Sequence, residues 1–102
     1  MIDFRSESID RLFEAVLLLK DKEDCYTFFE DLCTITELQD MAQRLDAADL
    51  LLAGMNYQNI SKTLGISTAT ISRVSRCLNY GTGGYKDLLE RVSGKRKEDE
   101  NV

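Results

Sequence analysis

The sequence predicts an all-α protein of about six helices, and three observations support this prediction. Apolar residues recur at intervals of three and four positions along most of the chain, as they do on one face of a helix. Proline, which interrupts helices, is absent. Several apolar patterns follow a Ser, Thr or Asn and precede a Gly, which are typical helix starts and ends. The length of 102 residues fits one domain.

Two amphipathic segments open the chain, and both predict helices. The first covers residues 4–20 and the second residues 23–33. We expect Phe28 and Phe29 to lie in the core or in a dimer interface. The apolar positions of the two segments are Ile9, Leu12, Phe13, Val16 and Leu19, then Cys25, Phe28, Phe29 and Leu32.

A capping box predicts the start of a third helix. Thr34 can cap the helix, and Glu37, three residues later, can reach back to the Thr34 amide. Gly54 stands where a left-handed residue commonly ends a helix. The predicted apolar stripe of this helix consists of Leu38, Met41, Leu45, Ala48 and Leu52.

Residues 57–77 match the steric pattern of a helix-turn-helix. The first short helix should follow the cap Asn56 and end at Gly65, where the tight turn favours a positive φ. The second should start after Ser67 or Thr68. Ser61 is small where the two helices cross. The predicted inward residues are Ile60, Leu64, Ile66, Ile71 and Val74.

The outward residues of this hairpin are small, hydroxylated or basic, which suits entry into the major groove of DNA. Hydroxyls can bond base edges or phosphates, Ala and Thr methyl groups can contact thymine methyl groups, and arginines can bind phosphate or guanine. The predicted DNA-binding residues are Gln58, Ser61, Lys62, Ser67, Thr68, Ala69, Thr70, Ser72, Arg73 and Arg76.

The distribution of charge supports the same interpretation although the net charge is -5. Residues 50–86 contain no Asp or Glu and carry four basic residues. An acidic body with a locally basic module is compatible with selective DNA binding, because the acidic part repels DNA elsewhere. The four basic residues are Lys62, Arg73, Arg76 and Lys86.

The C-terminal part is predicted as a glycine-rich loop over 79–84, a short helix over 85–92 and a charged tail. We expect one all-helical domain over 1–92 and a disordered, solubilising tail over 93–102. The basic run Lys95-Arg96-Lys97 could touch phosphates, but the acidic run Glu98-Asp99-Glu100 cancels it.

The composition argues against several other classes of protein. Histidine is absent and no Gly-rich phosphate loop occurs, so we predict no enzyme activity. Cys25, Cys33 and Cys77 have no paired metal-site spacing, so we predict no metal site and expect them to behave as small buried hydrophobes. No run is long and apolar enough for a membrane span, and the N-terminus does not resemble a signal peptide, so we expect a cytoplasmic protein.

From Thr34 to about Leu78 the chain resembles the Trp repressor superfamily, and within it the short Trp repressor-like proteins of the YerC/YecD type. The segments that carry the resemblance are Thr34-Ile35-Thr36-Glu37-Leu38, Arg44, Leu51-Leu52-Ala53-Gly54 and Leu64-Gly65-Ile66-Ser67-Thr68-Ala69-Thr70-Ile71-Ser72-Arg73. The resemblance implies a bacterial, intertwined homodimer. It would bind a palindromic operator as a transcriptional repressor and associate with the nucleoid when bound.

The resemblance also implies a ligand pocket formed by Thr34, Arg44, Arg73 and Val74. In the Trp repressor two arginines sandwich the indole ring of tryptophan, and Arg44 and Arg73 occupy those positions here. The Trp repressor has a glycine at the next position, where this chain has Val74. An isopropyl group would fill part of the ligand volume, so we predict regulation without tryptophan and no cofactor. A different small-molecule corepressor stays open.

One alternative remains from the residues alone. The chain could be a protein-interaction module that uses its acidic first half with Phe28 and Phe29, and whose helix-turn-helix has degenerated. A plain helical hairpin that forms part of a core would show similar apolar spacing.

Overall fold

The computed structural model describes residues 3–100, with side chains over residues 3–95. This part of the chain contains six α-helices and no β-strand, which confirms the all-α prediction. The helices are α1 (Glu7–Leu17), α2 (Lys22–Leu32), α3 (Ile35–Leu52), α4 (Tyr57–Leu64), α5 (Thr68–Tyr80) and α6 (Gly84–Glu100).

The chain forms two compact units, one up to Leu38 and one from Gln39 onward. In the first unit, side-chain oxygens of Ser6 and Asp21 accept hydrogen bonds from backbone amides three residues later and so cap α1 and α2. The rings of Phe28 and Phe29 meet edge to face, with centroids 5.5 Å apart. Neither helix buries a residue completely, so each leaves apolar surface uncovered within the chain.

The third helix begins as the sequence predicts. The Glu37 amide donates to Thr34 Oγ1 at 3.1 Å, and the Thr34 amide donates to Glu37 Oε1 at 3.0 Å. Hydrogen bonding to the Glu37 carboxylate by the Thr34 amide, and to a smaller extent by the Thr34 side chain, holds the pKa of the Glu37 carboxyl below its ordinary value, since it stabilises the ionised form. The capping box is therefore formed on both sides.

The end of α3 is a Schellman motif built on Gly54. Gly54 has φ +88°, and its amide donates to the Leu51 carbonyl, while the Met55 amide donates to the Leu50 carbonyl. Met55 and Leu50 both pack against the buried core. The chain therefore leaves α3 in a fixed direction, which sets the start of α4.

The predicted apolar stripe of α3 requires correction. Ala47 and Ala48 are the fully buried residues of this helix, and Ala47 was not in the stripe. Met41, Leu45 and Leu52 are exposed within the chain. Ala48 lies one turn from both Leu45 and Leu52, on the predicted stripe, whereas Ala47 lies on a side of α3 that the stripe did not include.

The core of the second unit joins α3 to α4 and α5. Its fully or almost fully buried residues come from these three helices, and side chains from the connecting segments and α6 pack around them. These buried residues are Ala47, Ala48, Ile60, Ile71 and Val74.

Three expectations for the C-terminal half and the cysteines differ from the structure. The second hairpin helix continues to Tyr80, so the predicted loop shrinks to residues 81–83. The last helix runs from Gly84 to Glu100, so residues 93–100 of the predicted disordered tail are helical, and residues 101–102 lie outside the described range. Proline is absent and Lys, Arg and Glu favour helix, which explains the extension. Cys25 and Cys77 are exposed rather than buried, and Cys33 is half-buried.

A candidate nucleic-acid interface on the helical hairpin

The hairpin of α4 and α5 is held by contacts within its turn. Asn56 caps α4 by accepting from the Asn59 amide at 2.9 Å. Gly65 ends α4 with φ +69°, and its amide donates to the Ser61 carbonyl at 2.8 Å. The Ser61 hydroxyl donates to the Ile66 carbonyl at 2.6 Å. A side chain at position 65 would be strained at this positive φ, so the glycine is required by the turn.

One polar contact attaches the hairpin to α3. The Gln43 side-chain amide donates to the Leu64 carbonyl at 3.4 Å, and Gln43 is half-buried. Sequence reasoning missed this residue. The available signal was a polar side chain four positions before Ala47, on the face of α3 that becomes buried.

The inner face of the hairpin is apolar, as the sequence predicts. Ile60 and Ile71 have no exposed surface, and Val74 is 2% exposed. Leu64 and Ile66 are half-buried and pack against the same cluster. This burial fixes the rotation of α5 about its axis, because positions 71 and 74 must face inward.

The outer face carries most of the predicted DNA-binding residues in exposed positions. Helical spacing places Ala69, Ser72, Arg73, Arg76 and Tyr80 along one stripe of α5, opposite the buried positions. The exposed members of the predicted set are Gln58, Lys62, Ser67, Thr68, Ala69, Ser72, Arg73 and Arg76.

Ser61 and Thr70 differ from the rest of that set because both are half-buried. The Ser61 hydroxyl bonds the turn, as described above. Ser67 caps α5 by accepting from the Thr70 amide at 3.2 Å, and the Ser67 and Thr70 hydroxyl oxygens lie 3.0 Å apart. The hydroxyls of Ser61 and Thr70 are therefore engaged inside the hairpin.

The electrostatic character of the hairpin follows from its sequence. The first turns of α4 and α5 contain no acidic residue, and the positive ends of both helix dipoles are therefore not neutralised locally by Asp or Glu. Exposed Lys62, Arg73 and Arg76 add positive charge to the same hairpin. This surface is suited to an anionic partner such as the phosphate backbone of DNA.

A small cavity of about 250 Å³ in the second unit is bordered by α3, α5 and the start of α6. It is lined by Arg44, Arg73, Val74, Cys77 and Tyr85. Three of the four residues of the predicted ligand pocket therefore come together. The fourth, Thr34, belongs to the first unit, where it caps α3.

Comparisons with known proteins identify the family of this chain. A family model described as Trp repressor protein matches residues 7–93. The chain belongs to the Trp repressor family. It is 52% identical over 94 residues to the uncharacterized protein YerC of Bacillus subtilis (strain 168), and the match covers 92% of this chain and 90% of that protein.

Solved structures agree with the assignment to the Trp repressor family. The crystal structure of a TrpR-like protein from Eubacterium eligens ATCC 27750 matches with a TM-score of 0.84 at 45% identity, covering 87% of this chain and 92% of that one. A candidate Trp repressor from Staphylococcus aureus matches with the same score and identity, covering 87% and 89%. The family fold is that of a helix-turn-helix DNA-binding regulator.

Two residues that line the cavity were not predicted from the sequence as pocket residues. Cys77 lies one turn after Arg73 on α5, so helical spacing could have suggested it. Tyr85 comes from the start of α6, and only the path of residues 81–83 brings it to the cavity.

Two further findings bear on other classes of function. Within the described residues, no group of His, Cys, Asp and Glu side chains could hold a metal ion. Among the helices of residues 3–100, none combines the length and apolar character that crossing a membrane requires.

Proposed function

We propose that this protein is a sequence-specific DNA-binding transcriptional regulator, a repressor that acts as a homodimer on a palindromic operator in the cytoplasm. One observation carries the proposal. The inner side of the hairpin is buried through Ile60, Ile71 and Val74, and the outer side of α5 is therefore exposed, where it is basic and contains no acidic residue. Membership of a family with a DNA-binding fold supports it.

The outer residues divide into two groups by reach and position. The N-terminal residues of a recognition helix contact base edges, so Thr68, Ala69 and Ser72 are the proposed base-facing group. Longer side chains extend to the phosphates on either side of the groove. We assign this phosphate-binding role to Gln58, Lys62, Arg73 and Arg76, with Ser67 and Thr70 stabilising the start of α5.

Ser61 receives a different role from the one that the sequence suggested. Its hydroxyl donates to the Ile66 carbonyl, and the residue is half-buried. The proposal therefore assigns Ser61 to the geometry of the turn and not to a direct contact with DNA.

Uncovered apolar surface supports the homodimer. Leu17 at the end of α1 and its C-cap Leu18 are 83% and 77% exposed within one chain, and Leu45 and Leu52 on α3 are also exposed. Exposed apolar groups of this number favour association with another subunit. A two-fold dimer presents two copies of α5, and these match an operator with two inverted half-sites about one DNA turn apart.

Regulation without tryptophan is part of the proposal. Val74 is 2% exposed and belongs to the core, and it also lines the cavity with Arg44 and Arg73. Its isopropyl group takes up volume that a glycine would leave free, and packed interiors tolerate little overlap. Calorimetry with tryptophan should show no binding. Micromolar binding at one site per subunit would contradict this part of the proposal.

The experiment that tests the function is selection of bound sequences from random duplex DNA, with and without a metabolite extract. We expect a palindromic site to be enriched, because each subunit of the dimer supplies one reading helix. Equal enrichment in both arms would support independence from an effector. If no sequence is enriched in either arm, the proposed function is wrong.

The alternative is a protein-interaction module with a degenerate helix-turn-helix, and the acidic net charge of -5 together with exposed Leu17 and Leu18 favours it. Salt dependence separates the two functions. A DNA binder loses affinity with a log–log slope of about -0.9 for each phosphate that it neutralises. A protein-interaction module with a degenerate helix-turn-helix would show no such salt-dependent affinity for duplex DNA.

A further inference from the structure

The base-facing part of α5 lacks the side chains that usually read bases through paired hydrogen bonds. Residues 63–72 contain no Arg, Lys, Asn or Gln, and no Asp, Glu or His. Arg and Lys pair with guanine, and Asn and Gln pair with adenine, through two parallel hydrogen bonds. None of these pairs can therefore form from the first turn and a half of the helix.

The hydroxyls of this segment are also partly engaged. Ser67 caps the helix and lies 3.0 Å from the Thr70 hydroxyl, which is half-buried. Thr68 is exposed but lies about a quarter turn away from the outer stripe. Ala69 is then the first residue of the stripe, and it points directly away from the buried positions 71 and 74.

An exposed alanine at this place has two consequences. Its side chain ends at the β-carbon, so the helix backbone can approach the floor of the groove closely. The only side-chain group that it presents to a base pair is a methyl group, and the major-groove partner for a methyl group is the C5-methyl of thymine.

We propose that Ala69 is a specificity-determining residue that reads one thymine in each half-site through contact with its 5-methyl group. This inference rests on the proposed function, since it concerns the same surface. Arg73 and Arg76 follow along the same stripe, one and two turns later, where they bind phosphate and add affinity.

The test uses the full-length protein and the duplex selected from random DNA. Each thymine of the site is replaced by uracil in turn, which removes only the methyl group. We expect the replacement to lower affinity at one symmetry-related pair of positions, by about fourfold per half-site, which is the value for one lost methyl contact. In Ala69→Gly the same replacement should have no further effect, because the protein's methyl group is already gone.

Two controls keep the result interpretable. Asn79→Gly also introduces a glycine, at the exposed far end of α5, and its sensitivity to uracil should equal that of the unaltered protein. Helix content by circular dichroism checks that both variants are folded.

The outcomes separate the two claims. If the selection enriches no duplex, the proposed function fails and the inference fails with it. If the duplex is bound but no uracil replacement matters, or the loss persists undiminished in Ala69→Gly, the inference is overturned and the proposed function stands.

Discussion

Two regions of the molecule differ in how much apolar surface they bury within one chain. One is the hairpin of α4 and α5, and the other is the N-terminal pair of helices α1 and α2. The hairpin, together with α3, encloses Ile60 and Ile71 completely within one chain. The helices α1 and α2 bury no residue completely, and Leu17 at the end of α1 and its C-cap Leu18 are mostly exposed. The hairpin therefore buries its apolar residues within one chain with the help of α3, whereas the first two helices leave apolar side chains exposed.

The largest effect is expected from opening the core of the hairpin. Ile71→Ala removes most of a fully buried side chain, and it should lower the free energy of unfolding by about 2–5 kcal/mol. Urea denaturation followed by circular dichroism measures this loss. Ser72→Ala, at an exposed neighbouring position, should stay within about 0.5 kcal/mol of the unaltered protein. Equal losses would mean that position 71 is not part of a packed core.

The next largest effect is expected at the exposed apolar residues at the end of α1. Leu18→Glu places a charge on an exposed apolar residue at the C-cap of α1, and it should weaken subunit association by about a hundredfold, since both subunits carry it. Sedimentation equilibrium measures the dissociation constant. Arg11→Glu adds the same acid at another exposed position of α1, and it should change association little. A Leu18→Glu protein that dimerises normally would show that this face is not the interface.

The hairpin and the start of α3 could be predicted from the sequence. The hairpin was predictable because its local signals agree: Asn56 caps α4, Gly65 adopts the expected positive φ, and Ile71 and Val74 are buried as their spacing indicates. The capping box of Thr34 and Glu37 was predictable for the same reason.

The buried face of α3, the lining of the cavity and the length of α6 could not be predicted, because they depend on tertiary contacts that apolar spacing alone does not encode. Apolar periodicity marked a stripe on α3 but did not separate the face of Ala47, which is buried within the chain, from the face of Leu45, which is not. The arrival of Tyr85 at the cavity depends on the short connection at residues 81–83. The extension of α6 beyond Val92 carries little apolar patterning, so periodicity could not reveal it.

A smaller effect is expected from the charges on the hairpin. Arg76→Ala should weaken binding to DNA of any sequence and reduce the salt slope by about one unit, because one phosphate contact is lost. Fluorescence anisotropy over a range of salt concentrations measures the slope. Arg91→Ala is the matched control, since Arg91 lies on α6 and pairs with Asp87 at 3.1 Å. An unchanged slope in Arg76→Ala would place Arg76 outside the contact with DNA.

The smallest effect is expected from the capping box. The bonds from Thr34 lower the pKa of Glu37 in the folded state, so the stability that its ionised form contributes is present above the ordinary carboxyl pKa. It is lost as the pH falls through the lowered value. The deficit of Glu37→Gln relative to the unaltered protein should therefore shrink between about pH 7 and pH 3. Urea denaturation at both values tests this, and a constant deficit would contradict it.

The most direct test of the central claim is binding of the selected duplex by Ser72→Glu. This substitution puts a negative charge in the middle of the outer stripe of α5, where the groove and its phosphates should lie. We expect a loss of affinity of about a hundredfold or more, while Ser8→Glu on α1 binds normally. If Ser72→Glu binds the duplex as tightly as the unaltered protein, α5 does not enter the groove.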